Sequence, residues 1–219
     1  MPETGIYEAM STLRAVRRLR PDPVAPEVLH RVLEAATWAP TGGNIQPWRV
    51  IVAKDASVKA KLGALYGEQW DTYAAGHRSL IADQPEHVRE QAERMLRAGD
   101  HLGEHFGEAP VIALFCFHPE LMAITDRSLG RVSVVGGASI YPAVENLLLA
   151  CRAEGLGCVL TTLLCACEEQ VREILAIPEP WATAAAIPIG YPRHRGHGPI
   201  TRRPVEKMAF LDGWGRTYA

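Results

Sequence analysis

A chain of 219 residues and 24.0 kDa with 47% apolar residues can bury a real core, which excludes disorder as its main state. The formal net charge of −2 and pI near 6.4 exclude a general attraction to nucleic acid or anionic membranes, so any cationic site is local. The start "MPETGIYEAM" lacks the basic and apolar regions of a secretory signal, and no run approaches the roughly 20 apolar residues of a membrane span. The expectation is a soluble, cytoplasmic protein.

Val28, Leu29, Val32, Leu33 and Ala36 fall on one face at helical spacing, and Pro26 suits a helix start, so a helix is expected over 26–38. "RVIVA" after it reads as a strand, followed by a helix near 55–66. From Gly67 to Glu108 the chain is charged, with helical spacing at Val88, Ala92, Met95 and Leu96, and reads as a variable helical cover. "VIALFCF" at 111–117 reads as a strand, and Ile140, Val144, Leu147, Leu148 and Cys151 as a core helix that "GLG" ends at 155–157. "CVLTT" reads as a strand, Glu168 to Leu175 as a short helix and "ATAAAIPIG" as a buried strand. The tail over 202–219 alternates apolar residues. The five cysteines sit in apolar patterns and suit reduced thiols better than a disulfide framework. Helices and strands thus mix through one α+β domain over 1–219, with helices packed against a sheet.

Three segments carry candidate chemistry. "LRAVRRLRP" gathers Arg14, Arg17, Arg18 and Arg20, whose forked donors suit a phosphate, although charge patterning alone favours a solvated face. In "APTGGNIQPW" at 39–48 the glycines let backbone approach a ligand closely, while Asn44 and Gln46 offer both donors and acceptors. Such a loop suits a flat heterocycle with ring N–H and C=O groups. "TRRP" places a second arginine pair, Arg202 and Arg203, after a "GYP" turn.

With "GGASIYPAVENLLLACRAEGLG" at 136–157, "LTT" at 160–162 and "IPIGYP" through "RRPVEKM" at 187–208, these segments resemble the nitroreductase-like flavoprotein family along nearly the whole chain. The resemblance implies a central mixed β-sheet flanked by helices, an intertwined homodimer and bound FMN. It matches Arg14 and Arg17 to the FMN phosphate and ribityl chain, and Thr41, Asn44 and Gln46 to the isoalloxazine ring. Leu160, Thr161 and Thr162 match the backbone segment at the flavin's reactive edge, and Arg202 or Arg203 the C-terminal phosphate arginine. Two departures stand out: Ala15 where members often carry Ser, and Glu145 where they often carry Gln.

The activity implied is NADH or NADPH reduction of FMN, followed by reduction of a small-molecule acceptor such as a nitroaromatic, quinone or activated alkene. Flavin storage without catalysis is the alternative, and no catalytic acid or base is identifiable. Trp70, Tyr73 and Phe106 are the cover's candidates for stacking on an acceptor. "HLGEH" at 101–105 fits H-x-x-E-H, but no third ligand is identifiable, so a solvated helix end is expected and no metal. "GGASIYP" lacks the strand-then-GxGxxG context of a dinucleotide fold. A nicotinamide would have to stack on the flavin itself.

Overall fold

In the computed structural model, which describes residues 4–218, strand β2 (Val111–Phe117) lies between β1 (Trp48–Ala53) and β4 (Ala182–Gly190), with β3 (Gly157–Cys158) beyond β4. The first three residues of the "MPETGIYEAM" start and the last residue of the tail lie outside that description. All three strand pairings are antiparallel, and the sheet's parallel contact is a single bridge from Ala15 to Cys158. β2 is apolar throughout because both of its faces are covered. Val111, Ala113 and Phe115 point into one core and Ile112, Leu114 and Cys116 into the other, the two-residue alternation of a strand.

On the first face lie α2 (Pro26–Thr37) and α5 (Tyr141–Ala153), which contribute Leu29, Val32, Ala36, Val144, Leu147 and Cys151. Pro26 opens α2 with its missing N–H at a position that needs none. α5 ends where the Leu156 amide returns to the Cys151 carbonyl at 2.8 Å across Gly155, whose φ of 73° is the left-handed turn glycine makes cheaply. The short helix α1 (Ile6–Thr12) rests against α5. No helix among the described residues is long and apolar enough to cross a membrane.

On the second face lie α3 (Ala56–Ile81), α4 (Glu86–His105) and α6 (Glu168–Leu175). The Asp55 carboxylate caps α3 by accepting from the Val58 amide at 2.9 Å. The sequence suggests that the helix ends near residue 66, but α3 continues to Ile81 and pairs with α4 as a helical hairpin. Its glycines are contact points rather than breaks. A Cβ on Gly63 would sit 2.8 Å from the Gly107 backbone, and one on Gly99 would sit 1.9 Å from the Trp70 ring. Trp70 lies across Gly99 and Gly103, and its indole N–H donates to Asp100 at 2.9 Å, while Arg78 holds the other Asp100 oxygen at 2.7 Å.

A further expectation is corrected. Of the strand expected over 158–162 only Cys158 is regular, paired together with Gly157, since beyond Cys158 the chain leaves the sheet and touches β4 again at Thr161, opposite Ala186. The tail carries a short 3₁₀ turn at Val205–Lys207 and one bridge between Phe210 and Thr217.

Because the Trp70 ring fills the space a methyl group would need, Gly99→Ala should destabilise the fold. Overpacking costs about 1–3 kcal/mol, which exceeds the roughly 1 kcal/mol that alanine gains in helix propensity. Urea unfolding of the two proteins measures the difference, and unchanged or raised stability would refute the packing.

Candidate functional site

The segment from Arg14 to Arg20 is a strap laid along the end of the sheet. Its amides at Val16 and Arg20 donate to Cys158 at 2.9 Å and Tyr191 at 2.8 Å, and the Arg193 amide donates back to Arg18 at 2.9 Å. Gly157 and Gly190 make this approach possible. A Cβ on the first would meet Val16 at 2.6 Å, and one on the second would meet Pro110 at 2.7 Å and Leu19 at 3.4 Å.

Seated in this way, Arg17 borders two neighbouring cavities. The first, of about 330 Å³, is lined by Tyr66, Trp70, Tyr73 and Met95 of the cover and by Leu160, Thr161 and Thr162. The second, of about 220 Å³, is lined by His101, His105 and Glu108 at the end of the cover, with Arg193 and Pro188 opposite. Leu102 also borders both. Arg17 is half-buried, and among the described residues its guanidinium makes no hydrogen bond or ion pair. Burial lowers its pKa, although its charge persists at any ordinary pH.

One cavity is thus aromatic, the other rich in nitrogen donors. Trp70 and Tyr73 face the first with ring centroids 5.5 Å apart, and Tyr73 also stacks with His77. Phe106, the third aromatic expected there, is instead fully buried and stacks on Tyr66 at 4.1 Å. The short side chain of Thr162 lies where the first cavity borders a further one beside Tyr141 and Cys165.

The "HLGEH" residues are not merely a solvated helix end, because His101 is half-buried and borders the second cavity. Ligand atoms of His101, Glu104 and His105 lie within 4.8 Å of one another. A cation is nevertheless opposed. Arg18 Nη1 lies 3.2 Å from His101 Nδ1, which must accept and so has no lone pair to spare, and Arg17 and Arg193 line the same space. His101 and Arg193 were not apparent as site residues in the sequence. The signal lay in the one-turn spacing of the two histidines, but only the contact between α4 and the strap gives it meaning.

The other expected site residues lie elsewhere. Thr41, Asn44 and Gln46 border neither cavity. Gly43, Asn44 and Gln46 hold φ values of 58°, 54° and 52°, and the loop is knitted to itself. Thr41 Oγ1 accepts from the Gln46 amide at 3.0 Å, and Gln46 Nε2 donates to Asn44 Oδ1 at 3.1 Å. Left-handed backbone at glutamine is strained, and it leaves Gly42 to Gln46 exposed. Arg14 donates through Nε to the Pro199 carbonyl at 2.9 Å, and Nη2 reaches the same oxygen. Ala15 makes the backbone bridge to Cys158, so at this position the main chain supplies the contact. Arg202 and Arg203 are exposed, and Arg202 donates to the carbonyl of its neighbour Thr201 at 2.9 Å. Glu145 is exposed on α5.

Burial, then Arg18, then His105 push the His101 pKa below its ordinary value, with Glu104 opposing. The neutral imidazole therefore stabilises the fold fully above pH 6.5, and that contribution is lost as pH falls through the lowered folded-state pKa. A proton NMR titration should place His101 half-protonation below pH 6.5. Arg18→Ala should move it upward without abolishing the shift, because burial remains.

The model of the family described as "Nitroreductase family" matches residues 12–191. A Thermus thermophilus protein named NADH dehydrogenase is 33% identical over 96% of this chain and 97% of its own. The 5,6-dimethylbenzimidazole synthase of Rhodospirillum rubrum is 32% identical over 96% of this chain and 89% of its own. The crystal structure of a nitroreductase with bound FMN from Desulfitobacterium hafniense superposes with a TM-score of 0.67 at 19% identity, covering 94% of this chain and 98% of the other. The match over residues 12–191, together with relatives more than 30% identical along nearly their whole length, makes the chain a flavoprotein oxidoreductase that belongs to the nitroreductase family.

Proposed function

We propose that the protein binds FMN in the paired cavities around Arg17 and passes electrons from NADH or NADPH to a small, planar, electron-poor acceptor. The observation that carries this reading is Arg17 itself, a half-buried cation with no hydrogen-bond or ion-pair partner among the described residues, at the junction of an aromatic cavity and a donor-rich one. A ring with an apolar end and a carbonyl-bearing end matches that division. FMN would supply the redox chemistry, accepting a hydride from the nicotinamide and delivering it onward.

The chain's own groups would bind and orient. Arg17, with the Nε2–H of His101 and the Arg193 guanidinium, offers charge and donors where reduction adds negative charge to the ring, and preorganised donors favour that state. Arg14, and Arg202 or Arg203 from the tail, would hold the phosphate. Trp70, Tyr73 and Met95 form the wall against which an acceptor would lie; 44% of Tyr73 and 38% of Met95 remain exposed. With no side chain placed as an acid or base, the proton that completes reduction would come from water.

The loop carrying Thr41, Asn44 and Gln46 borders neither cavity within one chain. A homodimer accounts for this, with that loop supplied by the second copy. Its expected contact is the apolar groove of about 420 Å³ between α1, α2 and α5, where Ile6 and Trp38 stand 55% and 72% exposed. Asn146 and Leu149 complete the groove on α5.

Anaerobic absorption spectra of the purified protein test the reading. A flavin spectrum that NADH or NADPH bleaches, and that an added nitroaromatic or quinone restores, is the expected result. Bound flavin that neither nicotinamide bleaches would indicate storage instead. Arg17→Ala should raise the FMN dissociation constant at least tenfold, as loss of a charge-assisted contact predicts, and an unchanged constant would remove Arg17 from the site. Sedimentation of a flavin-loaded monomer would exclude the shared site.

A further inference from the structure

The geometry points to His197 as the residue that positions Arg14 for the flavin phosphate, acting as a neutral imidazole wedged between the Arg14 amide and the Leu156 carbonyl. This rests on the reading of the cleft as an FMN site. Nε2 lies 2.7 Å from the Leu156 carbonyl oxygen, which can only accept, so that nitrogen carries the proton. Nδ1 is then the free acceptor, and the Arg14 amide points at it from 3.4 Å. Each ring nitrogen thereby has one role.

The rest of the segment closes around the same arginine. The Gly198 amide donates to the Thr12 carbonyl at 3.0 Å, the Pro199 carbonyl accepts from Arg14 Nε at 2.9 Å, and the guanidinium carbon lies 3.5 Å from where a Gly198 Cβ would stand. Two of the three guanidinium nitrogens are thus turned to Pro199, leaving Nη1 for an anion. Because Pro199 is three residues before Arg202, the seat of His197 also fixes where the tail's arginines begin. Among the described residues no other side chain hydrogen-bonds to both the strap and the segment that ends α5 while lying in the tail.

Protonation would turn Nδ1 from acceptor into donor, facing an amide N–H. The charged groups packed around it are Arg14 and Arg152, with Glu8 reached through Arg152. Burial and Arg152 oppose the imidazolium, and the bond to Leu156 opposes them in turn, with the net direction downward. The neutral bridge is therefore complete above pH 6.5 and is lost as pH falls through the lowered folded-state value. FMN's own phosphate and His101 titrate nearby, so the test must separate them from His197.

His197→Asn keeps an acceptor oxygen near the position of Nδ1 and cannot titrate, whereas His197→Ala keeps neither nitrogen. FMN dissociation constants, read from flavin fluorescence between pH 5.5 and 7.5, should rise about tenfold toward acid in the parent, the loss of roughly one hydrogen bond, beyond any rise shared with His197→Asn. His197→Ala should bind about tenfold more weakly already at pH 7.5. Imidazole nitrogen NMR of the flavin-free parent should show the Nε2–H tautomer at pH 7.5, a readout independent of cofactor and of whether either variant folds. An Nδ1–H tautomer, or an acid-side rise in His197→Asn equal to the parent's, overturns the positioning role while the flavin reading stands. A parent with the expected tautomer that takes up no FMN at any pH overturns the flavin reading, and with it the purpose assigned to the contact.

Discussion

The close seating of the strap on Gly157 and Gly190 is the constraint on which the rest of the site depends. Side chains at either position would collide with Val16, Leu19 or Pro110, pushing the strap off the end of the sheet. Once seated, its alternation decides everything else: Val16 is buried, Arg17 turns toward the cover and Arg18 reaches His101. The ladder contacts at Ala15 and Leu19 fix that register from both sides. A one-residue slip would bury a guanidinium and turn Val16 into the cleft, which is why the arginine cluster is not simply a solvated face.

Against this frame the cover is fixed rather than suspended. Gly99 and Gly103 cost roughly 2 kcal/mol of helix propensity relative to alanine. Burying the Trp70 indole across them returns about as much, and its N–H bond to the Arg78-paired Asp100 adds roughly 1 kcal/mol. Helix preference alone would favour alanines there. The pairing of large ring with absent side chains makes α3 and α4 one body.

The strands and core helices were legible because they obey simple periods. "VIALFCF" and "ATAAAIPIG" are apolar without a break, as sheet strands covered on both faces must be, and α2 and α5 show their helical stripes plainly. What could not be read was the length of α3, since glycine reads locally as a stop and only the opposing Gly107 and Trp70 reveal it as a contact. The expected strand after Gly157 failed for a related reason. Its β-branched composition describes a half-buried surface, which the cleft wall at Val159 to Thr162 also is. Of the site, family motifs marked Arg17 and the "LTT" segment, which the fold does bring to one cavity. His101 and Arg193 stayed hidden because their significance lies in a contact between segments more than 80 residues apart.

The exposed rim of that cleft stands in contrast to its foundation. Trp70 is locked beneath by two glycines and an ion-paired aspartate, while Tyr73, one turn further along the same helix, and Met95 across from it carry little of the fold's weight. Exchange of the rim residues would reshape the aromatic cavity at small structural cost, whereas exchange at Trp70 would loosen both helices together. Such a helix separates heritable scaffold from adjustable surface within a single turn, a route by which one protein frame can come to serve chemically different acceptors.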